Sequence, residues 1–171
     1  MDFDYQATGM TIQQAMLDTV RSRKGENVPP KIRWGNLAVQ TSDCIAVPGI
    51  GKVRIEILSS RQVRLKQGVD VKVNGAFRLA DGERVATLRT WDDPRYESTV
   101  EYPFESHDGK LWVWNIYEVE SPNGQVETMK WTGNAGFWVE NHGNEERIYH
   151  CSANQCSPPD FEALVFKIKI I

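Results

Sequence analysis

The chain has 171 residues, 40 % of them hydrophobic and 25 % charged, with a formal net charge of -3 and a pI near 5.7. That composition argues against disorder, and the length suffices to bury a core without disulfide or metal staples, so one β-rich domain over residues 1–171 is expected. Lys and Arg are interleaved with Asp and Glu, so no basic face is expected and nucleic acid is not an expected partner.

The N-terminal residues Met1-Asp-Phe-Asp-Tyr are acidic and have no apolar signal region. No run of about 18 apolar residues occurs, so no membrane span is expected. The three cysteines, Cys44, Cys151 and Cys156, are an odd number, which together with the missing signal points to a reducing, cytoplasmic location.

The first predicted element is a helix over about 11–24. Thr11 stands where an N-cap belongs and Gln14 follows at capping-box spacing. Ile12, Ala15, Met16, Thr19 and Val20 then fall on one stripe at helical period. Arg21, Arg23 and Lys24 suit the negative end of the helix dipole. Gly25 supplies a stop, and Pro29-Pro30 prevents a restart.

From Lys31 onward the apolar period becomes two. Val53, Ile55 and Ile57 alternate with charged residues, and Val69, Val71 and Val73 with Asp70 and Lys72. These are half-buried strands. Asn74-Gly75 and Asp81-Gly82 are turn signals. A three-residue loop Val73-Asn74-Gly75 would set Val71 opposite Phe77 and Val69 opposite Leu79. A turn at Ala80-Asp81-Gly82 would set Phe77 opposite Val85, making residues 69 to about 91 a three-stranded meander. His107-Asp108-Gly109 has the composition of a turn tip.

A hairpin is expected between Leu111 and about Thr132, turning at Ser121-Pro122-Asn123-Gly124. A four-residue loop pairs Val119 with Val126, Tyr117 with Thr128 and Trp114 with Trp131, and it leaves Glu118 opposite Glu127. The last strand buries Leu164, Phe166, Ile168 and Ile170 on one face. About nine or ten strands after one N-terminal helix predict a mainly β fold, an antiparallel sandwich or barrel.

No phosphate-binding loop, dinucleotide fingerprint, nucleophile elbow, H-E-x-x-H or C-x-x-C pair is present. None of His107, His142 and His150 is singled out as a base for a nucleophile. His142, His150, Cys151 and Cys156 are ligand types zinc accepts, but adjacent His150 and Cys151 would point to opposite faces of a strand, so no metal is expected. Cys151 and Cys156 read as a small disulfide loop or as two free thiols flanking a turn. No catalytic residues and no cofactor are expected. Asp92-Asp93 before Pro94 ends a strand, and Asp160-Phe161-Glu162 leads into the last one.

The distinctive stretch is Lys130-Trp-Thr-Gly-Asn-Ala-Gly-Phe-Trp-Val-Glu-Asn-His-Gly143. Flat indoles beside side-chain amides suit a sugar, whose C–H face stacks while its hydroxyls seek directional partners. In composition the stretch is similar to many sugar-binding sandwiches. Buried indoles with bend-forming glycines are the structural alternative. Six Trp are hard to fit in one core, so at least one is expected to be exposed. The leading expectation is a non-catalytic binding domain for a carbohydrate or similar polar small ligand, held by Trp131, Asn134, Trp138, Asn141 and His142. The second is a protein-interaction module, such as an inhibitor or immunity protein that blocks an enzyme. The third is a hydrolase acting through paired carboxylates.

Overall fold

The capping box spelled by Thr11 and Gln14 forms in both directions. In the computed structural model, which describes residues 3–22, 30–61, 64–143 and 145–171, Gln14 N donates to Thr11 Oγ1 (3.2 Å) and Thr11 N donates to Gln14 Oε1 (2.9 Å). Helix α1 (Ile12–Ser22) follows. It buries Ile12, Ala15, Met16 and Thr19 against a hairpin of β1 (Ile32–Trp34) and β2 (Leu37–Val39). Val20, expected on the same stripe, is exposed. Arg23, Lys24, Gly25 and Pro29, which carry the expected helix end, lie outside the described residues.

Period-two segments supply the rest of the fold, mostly antiparallel β with one helix near the N-terminus. The remaining strands are β3 (Asp43–Ala46), β4 (Ile50–Ser60), β5 (Gln67–Arg78), β6 (Arg84–Trp91), β7 (Thr99–Glu120), β8 (Val126–Met129), β9 (Gly136–Asn141), β10 (Glu146–Ser152) and β11 (Leu164–Ile170). Eleven strands are thus described where about nine or ten were expected. Their main path is β6-β5-β7-β4-β11-β10-β9, with β3 and β8 each pairing β7 off it. The arrangement is open and sandwich-like, and apolar residues at alternate positions of β3, β4, β5, β7, β10 and β11 meet in one central core. Val53, Ile55 and Ile57 lie there together with Leu164, Phe166 and Ile168, as their alternation predicts.

Strand β7 pairs with different strands along its length. Its first part pairs with β4, from Thr99 opposite Glu56 to Glu105 opposite Ile50. Its later part pairs with β3, from Lys110 opposite Ala46 to Val113 opposite Asp43. Between them the strand bends, and Lys110 N donates to Ser106 Oγ (3.0 Å). His107-Asp108-Gly109 therefore marks a bend inside one long strand and not a turn tip, because the strand changes sheet neighbours there without reversing.

Two expected registers need correction. Asn74-Gly75 does not reverse the chain, since β5 continues through it and Val71 faces Leu88 and Val113 in place of Phe77. The three-residue loop would place Gly75 in the left-handed helical region, at φ about +57°. Here Gly75 has φ 149° and sits in a bulge where a Cβ would lie 2.2 Å from Glu105 O. The glycine therefore serves a close backbone approach. The turn at Ala80-Asp81-Gly82 does form, with Phe77 opposite Val85.

The β7–β8 hairpin is shifted by one residue, pairing Tyr117 with Met129 and Glu118 with Thr128. Ser121 N donates to Gln125 O (2.8 Å), which draws Gln125 into the loop. The shift also removes Glu118 from opposite Glu127, and the Glu118 carboxylate accepts from Lys66 N instead (2.8 Å).

One buried carboxylate ties the edges of this sheet together. Gln40 bridges Phe137 of β9, and three residues later Asp43 opens β3. Asp43 accepts from Tyr149 Oη (2.7 Å), Arg147 Nη1 (2.6 Å) and Gln40 Nε2 (3.1 Å). Burial first, and the nearby Asp43 charge second, push the Tyr149 phenol well above its ordinary range, so it stays a donor. Removing the carboxylate strands Arg147 and the Tyr149 hydroxyl and takes an acceptor from Cys44 N, while Gln40 Nε2 keeps its bond to Ser42 O. Asp43→Ala is expected to cost about 3–5 kcal/mol of unfolding free energy, and Tyr149→Phe about 1–3 kcal/mol. Urea denaturation measures both, and a loss below about 1 kcal/mol for Asp43→Ala would contradict this account.

Candidate functional site

The alternation that buries Val69, Val71 and Val73 sends Asp70 and Lys72 to the other face of β5. Register places Lys72 opposite Trp112 and Asp70 opposite Trp114, so both indoles of the Trp112-Val-Trp114 segment share that outer face. Arg89 of β6 lies opposite Asp70 and binds it with two hydrogen bonds of 2.9 Å each. The Arg89 guanidinium also stands 5.8 Å from the centre of the Trp91 ring. The pairing neutralises Asp70, which is almost fully buried.

Over this face opens a groove of about 630 Å³. Trp112, Trp114 and Trp131 supply its aromatic walls, and Lys72, Lys130 and Asn74 its polar ones. Trp114 is only 6 % exposed, because Trp131 meets it edge to face at 5.8 Å and Lys130 covers it. The Lys130 ammonium lies 4.6 Å from the Trp114 ring centre and 4.2 Å from that of Trp131, held between the two by cation–π attraction. The buried Trp114 Nε1 has no hydrogen-bond partner among the described residues.

Trp131 itself is 41 % exposed and has φ 62°, the left-handed region that a bulky side chain rarely enters. Such a conformation costs about 1–3 kcal/mol and persists only where its neighbours impose it. They do so here residue by residue. Thr132 N donates to Tyr117 Oη (2.9 Å). Gly133 N donates to Gln13 Oε1 (2.9 Å), while Gln13 N donates to Gly133 O (2.9 Å). Asn134 Oδ1 accepts from Ile12 N (3.2 Å), and Asn134 Nδ2 donates to Cys156 O (2.6 Å). The start of α1 thus clamps the loop that presents Trp131.

The five residues expected to form a site are divided. Trp131 lines the groove. Both ends of the Asn134 amide are engaged in fastening α1 and the segment before β11. Trp138 lies half-buried on the outer face of β9, stacked on His150 at 4.1 Å with the rings 4° from parallel. His142, exposed beyond the end of β9, bonds Glu140 at 2.5 Å, and His150 Nε2 meets the other oxygen of that carboxylate at 3.2 Å. His150 Nδ1 faces Glu162 at 3.1 Å. Asn141 is exposed at the end of β9, opposite Arg147. Trp138, His142 and His150 therefore make a second cluster whose contacts are separate from those of Trp131.

Sequence reasoning missed Trp112, Trp114, Lys72 and Lys130 as groove residues. The available signal was the identical alternation in Asp70-Val-Lys72 and Trp112-Val-Trp114, which sets polar and aromatic groups on one face of neighbouring strands.

Cys44, Cys151 and Cys156 are free thiols. Cys151 is in the core, its thiol pushed well above the ordinary range by burial, while His150 faces outward. The two alternate as expected, so they do not converge with His142 and Cys156. Among the described residues no three His, Cys, Asp or Glu side chains stand close enough to hold a metal ion. No described helix is long and apolar enough to cross a membrane. Asp93, from the Asp92-Asp93 pair, is held by Arg95 Nη2 (2.7 Å) and Lys66 Nζ (3.4 Å). No known family, curated protein or solved structure matches this chain.

Hydrogen bonds from His142 first and His150 second hold the Glu140 carboxyl below its ordinary value of 4.5. A depressed folded value adds stability above the ordinary value, and this is lost as pH falls through the depressed one. Between about pH 5 and about pH 3 the melting temperature of Glu140→Gln should therefore fall less than that of the parent. Thermal melts across that range check the difference, and parallel curves would refute it.

Proposed function

We propose that this chain is a non-catalytic binding domain that takes a carbohydrate or a similar polar small ligand in the groove of Trp112, Trp114 and Trp131. The observation that carries this reading is Trp131, an indole 41 % exposed on a backbone at φ 62°. Solvent exposure of a large ring forgoes burial, and the left-handed backbone adds strain. A ligand that stacks on the ring gives both features a use. The flat C–H face of a pyranose matches an indole face. Polar groups at the rim, such as Asn74 and the lysines, supply the directional hydrogen bonds that its hydroxyls need.

The test separates stability from binding. Glycine accepts φ 62° without strain, so Trp131→Gly relieves the backbone while deleting the ring. The variant should stay folded in thermal melts, and Trp131→Ala should show the same binding defect with its backbone still strained. A glycan array identifies the ligand, and titrations followed by tryptophan fluorescence give its affinity. Both variants should lose at least about tenfold in affinity, equivalent to about 1.4 kcal/mol. Binding equal to the parent in a folded variant would place the site elsewhere, and failure of every saccharide to bind would remove the reading.

A further inference from the structure

We infer that the ligand of the groove is a saccharide carrying an anionic substituent, a carboxylate or a sulfate ester. The inference rests on the saccharide reading above and specifies its chemistry from the unused hydrogen-bonding groups.

The two carboxylates on this face already accept hydrogen bonds. Both carboxylate oxygens of Asp70 accept from Arg89 at 2.9 Å. Asp108, at the groove edge, accepts through Oδ1 from Ser106 Oγ (3.2 Å) and Lys110 N (3.1 Å). Trp114 Nε1, by contrast, is buried without a partner among the described residues, on a ring that lines the groove. Lys72 and Lys130 line the same groove, and neither has an ion pair among the described residues.

Lys130 is also held in place. Its ammonium lies between two ring faces, 4.6 Å and 4.2 Å from their centres, which fixes the charge beside the exposed indole. Lys72 lies on β5 directly opposite Trp112. Two ammonium groups beside stacking surfaces outnumber the one carboxylate of the lining, Asp108. A neutral sugar leaves the two charges without a counterion, whereas an acidic sugar supplies the missing acceptor and stacks in the same pose.

Single-stranded nucleic acid combines negative charge with stacking too. It calls for a groove whose cations follow successive phosphates. Here two lysines flank one pocket on a chain of net charge -3, which matches one anionic substituent.

Titration calorimetry on the full chain tests this with four probes: a neutral cello-oligosaccharide, an oligogalacturonate, a sulfated carrageenan oligosaccharide, which has no carboxylate, and oligo(dT). One of the two acidic saccharides should bind at least about tenfold tighter than the neutral one at about 20 mM salt, and which one does so identifies the substituent. The advantage should shrink at about 200 mM salt. Lys72→Gln, at an exposed strand position where folding should persist, should narrow the acidic-to-neutral affinity ratio to within about threefold. Trp131-dependent binding of the neutral and acidic sugars with equal affinity would overturn this inference and leave the saccharide reading standing. Oligo(dT) binding tighter than any sugar, or no sugar binding at all, would overturn both.

Discussion

A carboxylate removed from water must be met by donors on several sides, and Asp43 is met by Gln40, Arg147 and Tyr149. The requirement reaches beyond one side chain. Tyr149 stacks on Phe166 at 4.8 Å and meets Phe137 edge to face at 5.2 Å, so the residue that satisfies Asp43 also belongs to the core of β9, β10 and β11. Asp43 in turn pairs in register with Val113 of β7. The carboxylate therefore joins the two stretches of sheet at the point where β3 passes between them. Buried ion pairs add less net stability than their geometry suggests, but breaking one is costly, and such a group can fix which strands pair.

The same junction shapes the groove. With Asp43 turned inward, its neighbour Ser42 lies on the groove rim, and Cys44 stands opposite Trp112. Alternation then carries the pattern across the sheet, with valines inward from β5 and Asp70, Lys72, Trp112 and Trp114 outward. The proposed ligand face needs no loop scaffold beneath it, since the floor is central sheet. The lip is different, because Trp131 follows a short strand and depends on α1 for its position. Ile12 and Gln13, at the first turn of the helix, bond the two residues that hold the loop. Amide groups left unpaired at a helix start are thus used to pin a strained aromatic.

Much of the fold was legible because apolar periodicity is a direct record of burial. The capping box, the inward faces of β4 and β11 and the pairing of Phe77 with Val85 all follow from spacing alone. What failed was punctuation. Asn74-Gly75 reads as a turn, yet a glycine also answers the need of a neighbouring carbonyl to approach, and the sequence is the same in both cases. The bend at Ser106–Lys110 has turn composition for a related reason: a strand that changes partners needs a local break in its ladder. The β7–β8 register slipped by one because the Ser121–Gln125 bond and the partner of Glu118 are both tertiary facts. For the candidate site, the segment 130–143 was recognisable from its indoles and glycines. Which of its residues share a surface depends on the loop at Trp131 leaving the strand, and that is set by contacts with residues more than a hundred positions earlier in the chain.

The two aromatic clusters also differ in what they leave unmet. Around Trp138 the polar groups satisfy one another: Glu140 accepts from both histidines, and His150 has Glu162 on its other nitrogen. Stacking of Trp138 on His150 covers one ring face with another. A ligand arriving there would have to displace bonds already made. Around Trp131 the balance is reversed, since among the described residues the Trp114 indole N–H has no acceptor, Lys72 and Lys130 have no carboxylate partner, and the Trp131 ring is partly exposed. Binding is favoured where association adds interactions without first breaking them. Composition alone made the two clusters look alike, and the difference between them lies in the hydrogen bonds that the fold has already completed.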